Sequence, residues 1–398
     1  MAPIDEHDWA PRKRHTDPRS ARNVASGRRG IGRTLSPGRH RPRGPPRPTA
    51  TTAATGAGCG PGRRTREGGT DVRYVEAGGT RVAAIGLGCW QFGSKDWGYG
   101  REYGETTALE LVRTALDLGI TLIDTAEAYA RGASEAIVGR ALGDRRAEAF
   151  VATKFTPAAP TSARVVDHGR QSALRLGVDT IDLYQIHWPN PAFPLAPQLD
   201  GMRRLLDEGV VAHVGVSNFG ADRWARADGF LGRPVLTNQV HYSLLWRKPD
   251  RGNVGYAQAN DRILIAYSPL EMGVLGGKYS AEHPPPGTAR RRNPLCLPEN
   301  LARAEPLLAT LRRIAAAHDA TPAQVALAWL VRRPHVVAIP GASSVAQLRH
   351  NAAAADLDLT DAEVEELTAE SDAFRPVGGL DTARGLVRRF RAPDAGED

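Results

Sequence analysis

Short apolar runs rich in β-branched residues alternate with longer amphipathic patterns through most of the chain. The runs have the length and composition of buried strands, and the patterns between them repeat at helical spacing. The predicted strands are residues 84–88, 120–124, 150–154, 181–186, 211–216, 235–239, 263–267 and 336–340. The predicted helices are residues 105–118, 133–142, 161–176, 197–208, 220–229, 322–333 and 344–355. Eight strands alternating with helices predict an α/β fold, a (β/α)8 TIM barrel.

Two further elements are predicted around the barrel. Residues 73–75 and 81–83 flank a Gly-Gly turn of the type that closes two-residue hairpins, which predicts an N-terminal β-hairpin. A stretch rich in Gly, Pro and Arg over residues 271–300 follows the seventh strand, and residues 301–318 predict an extra helix in the C-terminal half. Connections of that length within a compact domain are usually functional or mobile.

Composition divides the 398 residues into three parts. We predict that residues 1–71 form a disordered basic extension rich in Arg, Pro and Gly. We predict that residues 72–372 form the barrel and residues 373–398 a C-terminal tail. The extension has almost no Leu, Ile or Val, so it cannot bury enough apolar surface to offset its ordering entropy. Because a valine codon can start translation at Val72, the extension need not belong to the native protein.

The net positive charge lies in the extension. The chain carries a formal charge of +8, but residues 1–70 hold 15 Lys and Arg against 5 Asp and Glu, which leaves −2 for the rest. A DNA-binding arm would interleave aromatic residues with its arginines, and a transit peptide would not begin with Asp5, Glu6 and Asp8. We therefore expect no nucleic-acid partner and no organelle import.

Cysteine usage and hydropathy predict a reducing aqueous compartment. The three cysteines are odd in number and lack metal-ligand spacing, so no disulfide framework is expected. The sequence has no run of eighteen apolar residues, and therefore no predicted membrane span. These features predict a cytoplasmic protein without a membrane partner.

Four polar residues stand at or just beyond the ends of three successive predicted strands. Asp124 ends the second strand and Tyr129 follows it, Lys154 ends the third, and His187 follows the fourth. Parallel strands bring their C-terminal ends to one rim of the barrel, so these residues are expected to meet. A tyrosine gives up its proton reluctantly at pH 7, and a nearby ammonium lowers its pKa. The pattern predicts that Tyr129 donates a proton, Lys154 lowers the pKa of Tyr129, Asp124 anchors Lys154, and His187 orients a carbonyl oxygen.

Other chemistries have weaker support in the sequence. His241, His283 and His350 have no paired ligand at helical spacing, so no metal site is predicted. No serine lies in a Gly-x-Ser-x-Gly elbow. Gly86-x-Gly88 lacks the third glycine and the acidic residue of a doubly wound dinucleotide-binding fold, which disfavours that fold.

Six motifs in order resemble the aldo-keto reductase superfamily, from about residue 73 to about residue 371. The most diagnostic is Asp124-Thr125-Ala126-Glu127-Ala128-Tyr129, followed by Gly132-Ala133-Ser134-Glu135. The others are Ile85-Gly86-Leu87-Gly88-Cys89-Trp90, Ile181-Asp182-Leu183-Tyr184-Gln185-Ile186-His187, Gly215-Val216-Ser217-Asn218-Phe219, Ala266-Tyr267-Ser268-Pro269-Leu270 and Ile339-Pro340-Gly341-Ala342. The resemblance implies reversible NAD(P)H-dependent reduction of aldehydes or ketones to alcohols. It gives the four polar residues the roles described above.

A nicotinamide nucleotide is the cofactor that the resemblance implies, with NADPH preferred, NAD as an alternative and no metal. Ser217, Asn218 and Gln239 would bind the carboxamide, and Tyr267 would stack on the nicotinamide ring. The residues expected over the pyrophosphate are Ser268, Leu270, Gly276 and Lys278. Backbone amides beside glycine and an ammonium group suit a diphosphate.

The adenosine end departs from the family's best-known pattern. Many members have Lys and Arg at the positions of Gly341 and Gln347, where they clamp the 2′-phosphate; Asn351 is retained for the adenine. Each missing cation removes charge-assisted bonds of roughly 1.5–3 kcal/mol. Ser343 and the N-terminus of the following helix remain as phosphate partners. We therefore expect NADPH to be preferred over NADH by roughly ten- to a hundredfold.

The substrate is predicted only as a class. Trp90, Trp97 and Trp188, with Tyr99, lie on or near the rim loops and are predicted to wall the pocket for a small aldehyde or ketone. The alternative function is a nucleotide-binding regulatory subunit on the same barrel without significant turnover, as in the family's potassium-channel partners. Tight nucleotide binding without oxidation across many carbonyl compounds would identify that alternative.

Overall fold

A β-hairpin begins the part of the chain that the computed structural model describes, residues 73–378 and residue 382. Strand β1 (Tyr74–Ala77) pairs antiparallel with β2 (Thr80–Ala83). Both turn residues, Gly78 and Gly79, have positive φ, as a two-residue hairpin turn favours. The predicted hairpin is therefore confirmed. The predicted extension over residues 1–71 and most of the predicted tail lie outside the described residues.

Eight parallel strands form the central sheet, and their order in space follows their order in the chain. The strands are β3 (Leu87–Gly88), β4 (Leu122–Asp124), β5 (Phe150–Phe155), β6 (Ile181–Ile186), β7 (Val211–Ser217), β8 (Thr237–His241), β9 (Ile263–Tyr267) and β10 (Val336–Ala338). Their side chains are almost all buried, which explains why the sequence shows continuous apolar runs rather than strict alternation.

The sheet closes on itself between its first and last strands. Gly86 N donates to Ala338 O at 2.8 Å, and Ala338 N donates to Ala84 O at 2.9 Å. Parallel bridges join Ile85 to Ala338 and Gly88 to Gly341. A Cβ atom on Gly88 would lie 2.7 Å from the carbonyl oxygen of Ile339, so this seam requires glycine. The predicted (β/α)8 barrel is confirmed.

Helices surround the barrel. They are α1 (Glu105–Asp117), α2 (Ala133–Leu142), α3 (Ser162–Leu176), α4 (Leu195–Asp207), α5 (Ala221–Leu231), α6 (Asn253–Ala259), α7 (Thr288–Arg291), α8 (Pro298–Ala317), α9 (Pro322–Val331), α10 (Val345–Ala353) and α11 (Asp361–Ala373). Helix α8 is the predicted extra helix. Helices α6, α7 and α11 were not predicted from the sequence.

The carboxyl ends of the strands share one rim, and this rim positions the candidate site. Lys154 on β5 pairs in register with Gln185 on β6, and Ser217 on β7 with Gln239 on β8. His241, which ends β8, pairs in register with Tyr267, which ends β9. Residues far apart in sequence therefore project from neighbouring strands at the same level.

Candidate active site

Lys154 lies at the centre of the polar cluster and is fully buried. Its Nζ donates to Asp124 Oδ1 at 2.6 Å, to the Thr125 carbonyl oxygen at 2.7 Å and to Tyr129 Oη at 3.2 Å. An ammonium group has three donors and no acceptor, so all three are used. The structure thus brings together three of the four residues that the sequence places at this rim.

Asp124 is held on both carboxylate oxygens. Oδ1 accepts from Lys154, and Oδ2 accepts from Gln239 Nε2 at 2.7 Å. Burial raises the pKa of Asp124, and Lys154 with its hydrogen bond and that of Gln239 opposes the rise. Burial acts to lower the pKa of Lys154, but Asp124 and Tyr129 outweigh it, so the net direction is upward. Lys154 therefore stays an ammonium ion at neutral pH.

The Tyr129 hydroxyl accepts from Lys154, and this fixes where its own proton can go. Because Lys154 cannot accept a hydrogen bond, the Tyr129 proton must be directed elsewhere. The sequence argument expects a lowered pKa for Tyr129, but the net direction is upward: burial raises the pKa and the Lys154 charge only opposes the rise. Tyr129 is thus a protonated phenol at neutral pH, and a donor to any strong base that reaches it.

His187 approaches the tyrosine edge-on, with ring centroids 5.7 Å apart. Burial, and then the Lys154 charge, lower the pKa of His187 to about 3. The imidazole is therefore neutral at pH 7 and carries one N–H donor. Its Nδ1 atom is buried without a hydrogen-bond partner in the described part of the chain. A neutral imidazole beside the phenol can hydrogen-bond a polar atom without adding charge.

Two of the three predicted pocket tryptophans have ring contacts with Tyr129 or His187, and the third packs against one of them. Trp90 lies 6.5 Å from the Tyr129 ring and 5.1 Å from Trp97, and Trp188 lies 4.7 Å from His187, all between ring centroids. Trp90 is 42% exposed, unusual for so large an apolar side chain. Tyr99 packs edge-on against Tyr103, which belongs to the core. Within the described residues, the Tyr99 ring does not stack on any of the three tryptophans.

The residues predicted for the nicotinamide end form a connected group at the ends of β7, β8 and β9. Tyr267 Oη donates to Asn218 Oδ1 at 2.9 Å, and Asn218 Nδ2 donates to Ser217 Oγ at 3.2 Å. Asn218 directly follows β7 and has a φ of 60°, a left-handed conformation that asparagine tolerates better than most residues. Gln239 was expected to bind the carboxamide, but its amide nitrogen already donates to Asp124.

A kinked six-residue 3-10 segment, Glu271–Gly276, lies in the loop that the sequence argument assigns to the pyrophosphate. Ser268 and Leu270 precede this segment, Gly276 ends it, and all three are partly exposed. Lys278 is exposed, with its Nζ 4.9 Å from the centre of the Tyr279 ring. All four residues lie on the connection that follows β9, and their contact with a pyrophosphate stays a prediction.

The predicted adenosine-end residues lie between β10 and α10. Gly341, Ser343 and Gln347 are exposed, whereas Asn351 is buried and donates to the Gly341 carbonyl oxygen at 3.3 Å. Gln347 Oε1 accepts from Ser343 N at 2.9 Å and from Ser343 Oγ at 3.3 Å. Ser343, which the sequence argument assigns to a phosphate, therefore already has an internal partner for both its backbone amide and its hydroxyl.

Two acid–histidine pairs near the site, one partly exposed and one around a buried carboxylate, were missed by the sequence reasoning. Glu127 binds the backbone nitrogen of Thr156 and His168 Nδ1, both at 2.6 Å. Glu271 binds His241 Nε2 at 2.7 Å. A usable signal for the second pair was a single acid inside the apolar run Leu270–Leu275.

Within the described residues, no helix is long and apolar enough to cross a membrane. The same residues contain no group of three or more His, Cys, Asp and Glu side chains that could hold a metal ion.

The geometry places a buried Asp–Lys pair, a tyrosine and a neutral histidine together at the carboxyl rim of a (β/α)8 barrel, beside tryptophan rings and a glycine-containing loop. Comparison with known proteins agrees with this description. The model of the Aldo/keto reductase family matches residues 84–372. An uncharacterized oxidoreductase of Mycobacterium tuberculosis is 53% identical over 321 residues, covering 80% of this chain and 98% of its own.

Solved structures with the same architecture have aldo-keto reductase names. A thermostable aldo-keto reductase in complex with the inhibitor epalrestat is 33% identical, with a TM-score of 0.63 over 75% of this chain and 99% of its own. An aldo-keto reductase from Klebsiella pneumoniae in complex with NADPH is 28% identical, with a TM-score of 0.60 over 78% and 98%. The chain belongs to the aldo-keto reductase family, a family of oxidoreductases.

Proposed function

We propose that the protein reduces aldehydes or ketones to alcohols with NAD(P)H, and that NADPH is preferred. The observation that carries the proposal is the hydrogen bond from Lys154 to Tyr129, which leaves the phenol proton free for another acceptor. Membership of the family and the NADPH complex of the Klebsiella pneumoniae relative support the choice of cofactor.

The residues around the barrel rim suit the parts of such a nucleotide. Ser217 and Asn218 offer hydroxyl and amide groups for a carboxamide, and the flat Tyr267 ring offers a stacking surface. The loop through Gly276, and the N-terminus of α10, offer backbone amides to phosphates. Gln239 would contact the carboxamide only through the atom not bonded to Asp124.

The nicotinamide, when bound, supplies the hydride that reaches the carbonyl carbon. His187, as a neutral donor, hydrogen-bonds the carbonyl oxygen and orients it toward Tyr129. As negative charge develops on that oxygen, Tyr129 transfers its phenol proton to it, and the product is an alcohol. Even with a raised pKa, a phenol is a stronger acid than an alcohol. The phenolate that remains is stabilised by Lys154 until solvent returns a proton.

Tyr129→Phe tests the assignment of the acid. Turnover of a simple aldehyde with NADPH should fall by ~10²–10⁴-fold, because one general acid contributes that much. Nucleotide affinity, measured by quenching of protein fluorescence, should change little. Unchanged turnover would show that Tyr129 is not the acid. A wild-type protein that binds NADPH tightly but reduces no carbonyl compound would favour a regulatory subunit.

A further inference from the structure

A stack of three aromatic rings stands behind the proposed nicotinamide surface. The His241 ring lies between Trp246 and Tyr267, with centroids 5.0 and 5.4 Å away and interplanar angles of 11° and 14°. The registration of β8 with β9 places His241 directly beside Tyr267. One face of Tyr267 is therefore supported, and its hydroxyl is fixed by Asn218.

Glu271 hydrogen-bonds His241, the middle ring of this stack. Its carboxylate is fully buried. Oε1 accepts from His241 Nε2 at 2.7 Å and from the Ser243 hydroxyl, while Oε2 has no hydrogen-bond partner in the described part of the chain. Burying a carboxylate is costly unless it is paired, so its presence in this apolar setting needs a reason beyond packing.

Glu271 is also the first residue of the 3-10 segment within the loop proposed to cover the pyrophosphate. Glu271 and Met272 have φ values of 47° and 54°, in the left-handed region that non-glycine residues seldom adopt. Such conformations persist where surrounding contacts fix them. The bonds from Glu271 to His241 and Ser243 are contacts of that kind, because they join the loop to the end of β8.

We infer that Glu271 is a positioning residue that couples the pyrophosphate loop to the nicotinamide surface through His241 and Tyr267. The inference rests on the proposed function, since it assigns the nicotinamide ring to Tyr267. The hydrogen bond from Nε2 to Glu271 keeps the His241 ring from rotating. The fixed His241 ring then holds the stacked Tyr267 ring in its orientation. The same carboxylate sets the start of the loop. Removing the carboxylate would free both the His241 ring and the start of the 3-10 segment. In this proposal Glu271 itself does not contact the nucleotide.

Glu271→Ala, compared with Glu271→Gln, tests this role. Gln keeps an oxygen that accepts from His241 and Ser243, whereas Ala removes the acceptor. The Ala variant should bind NADPH about tenfold more weakly, by the scale of a lost hydrogen bond to a charged group, and Gln should stay within about threefold of wild type. With saturating NADPH, turnover of the Ala variant should fall less than its affinity, because Tyr129 and Lys154 are untouched.

Adenosine 2′-monophosphate is the matched control ligand. It has the adenine and 2′-phosphate but neither nicotinamide nor pyrophosphate, so Glu271→Ala should bind it as wild type does. Unchanged NADPH affinity in the Ala variant would overturn the inference, and so would equal weakening of both ligands. If the Ala variant does not fold, His241→Ala removes the ring that supports Tyr267 and must show the same selective loss. A wild-type protein that binds NADPH without turnover fails the proposed function but still allows this comparison.

Discussion

The proton-transfer cluster and the segment proposed for the adenosine end of the nucleotide are built in opposite ways. In the cluster, Asp124 and Lys154 are at most 2% exposed, and their charges are paired at 2.6 Å. In the segment, Ser343 and Gln347 are exposed, and the hydrogen bonds of the Gln347 side chain and backbone amide run to Ser343 and Ser344, which are near it in the chain. Buried charges that compensate one another cannot be changed singly without cost, whereas exposed polar groups can. If these regions have the proposed roles, the proton-transfer residues tolerate substitution poorly, whereas residues that contact the adenosine end can be exchanged at little cost in stability.

The largest effect on stability and turnover is expected from Lys154→Met in the buried cluster. The substitution leaves Asp124 buried without its cation, so the free energy of unfolding should fall by about 3–5 kcal/mol. Turnover should fall at least as far as in Tyr129→Phe. The double variant Lys154→Met/Asp124→Asn should recover part of the stability and none of the turnover. Urea unfolding and steady-state kinetics measure both; a single variant as stable as wild type would contradict the assignment of a compensated pair.

The second test uses the pH dependence of stability. The folded-state pKa of His187 is about 3, well below its ordinary value, because burial and Lys154 disfavour the imidazolium. Below about pH 6.5, His187 is protonated in the unfolded chain but stays neutral in the folded chain. The contribution of His187 to stability is therefore complete above pH 6.5 and decreases toward pH 3, by roughly 1.4 kcal/mol per pH unit. His187→Gln should remove this slope between pH 6 and 4 in urea unfolding. Identical slopes in both proteins would show that His187 titrates normally.

The smallest effect is expected in the exposed segment. Gln347→Arg should tighten NADPH binding by about 1 kcal/mol, roughly fivefold, because an exposed guanidinium gains little from a phosphate in water. NADH affinity should hardly change. Gln347→Ala is the matched control, since it frees the Ser343 amide without adding charge. Protein fluorescence gives the dissociation constants. Equal gains for NADPH and NADH would place residue 347 away from the 2′-phosphate.

Most of the barrel could be predicted from the sequence, because each buried strand is a short local run. All eight predicted strands are present, although the first shrinks from residues 84–88 to Leu87–Gly88 and the sixth moves from 235–239 to Thr237–His241. Apolar runs indicate which residues are buried, whereas strand ends depend on the register with a neighbour, which no local pattern contains.

Three helices escaped prediction for different reasons. Helix α11 had a usable signal, a capping box in which Thr360 and Glu363 bond each other's backbone nitrogens. Helix α6 is short and contains Gly255, and α7 has four residues, so neither shows a helical repeat. Their conformation depends on the packing of long connections rather than on local propensity.

The proximity of the four polar residues was predictable because they recur at strand ends, and parallel strands bring those ends together; their role in proton transfer stays a prediction. The sequence by itself thus determined the barrel, the rim and the gathering of Asp124, Tyr129, Lys154 and His187 there. Only the tertiary structure decided how these groups are charged and paired. Gln239 reaches Asp124 across 115 residues of chain, and burial reverses the pKa direction expected for Tyr129. Desolvation and long-range hydrogen bonds depend on what surrounds a side chain in space, and sequence spacing does not contain that information.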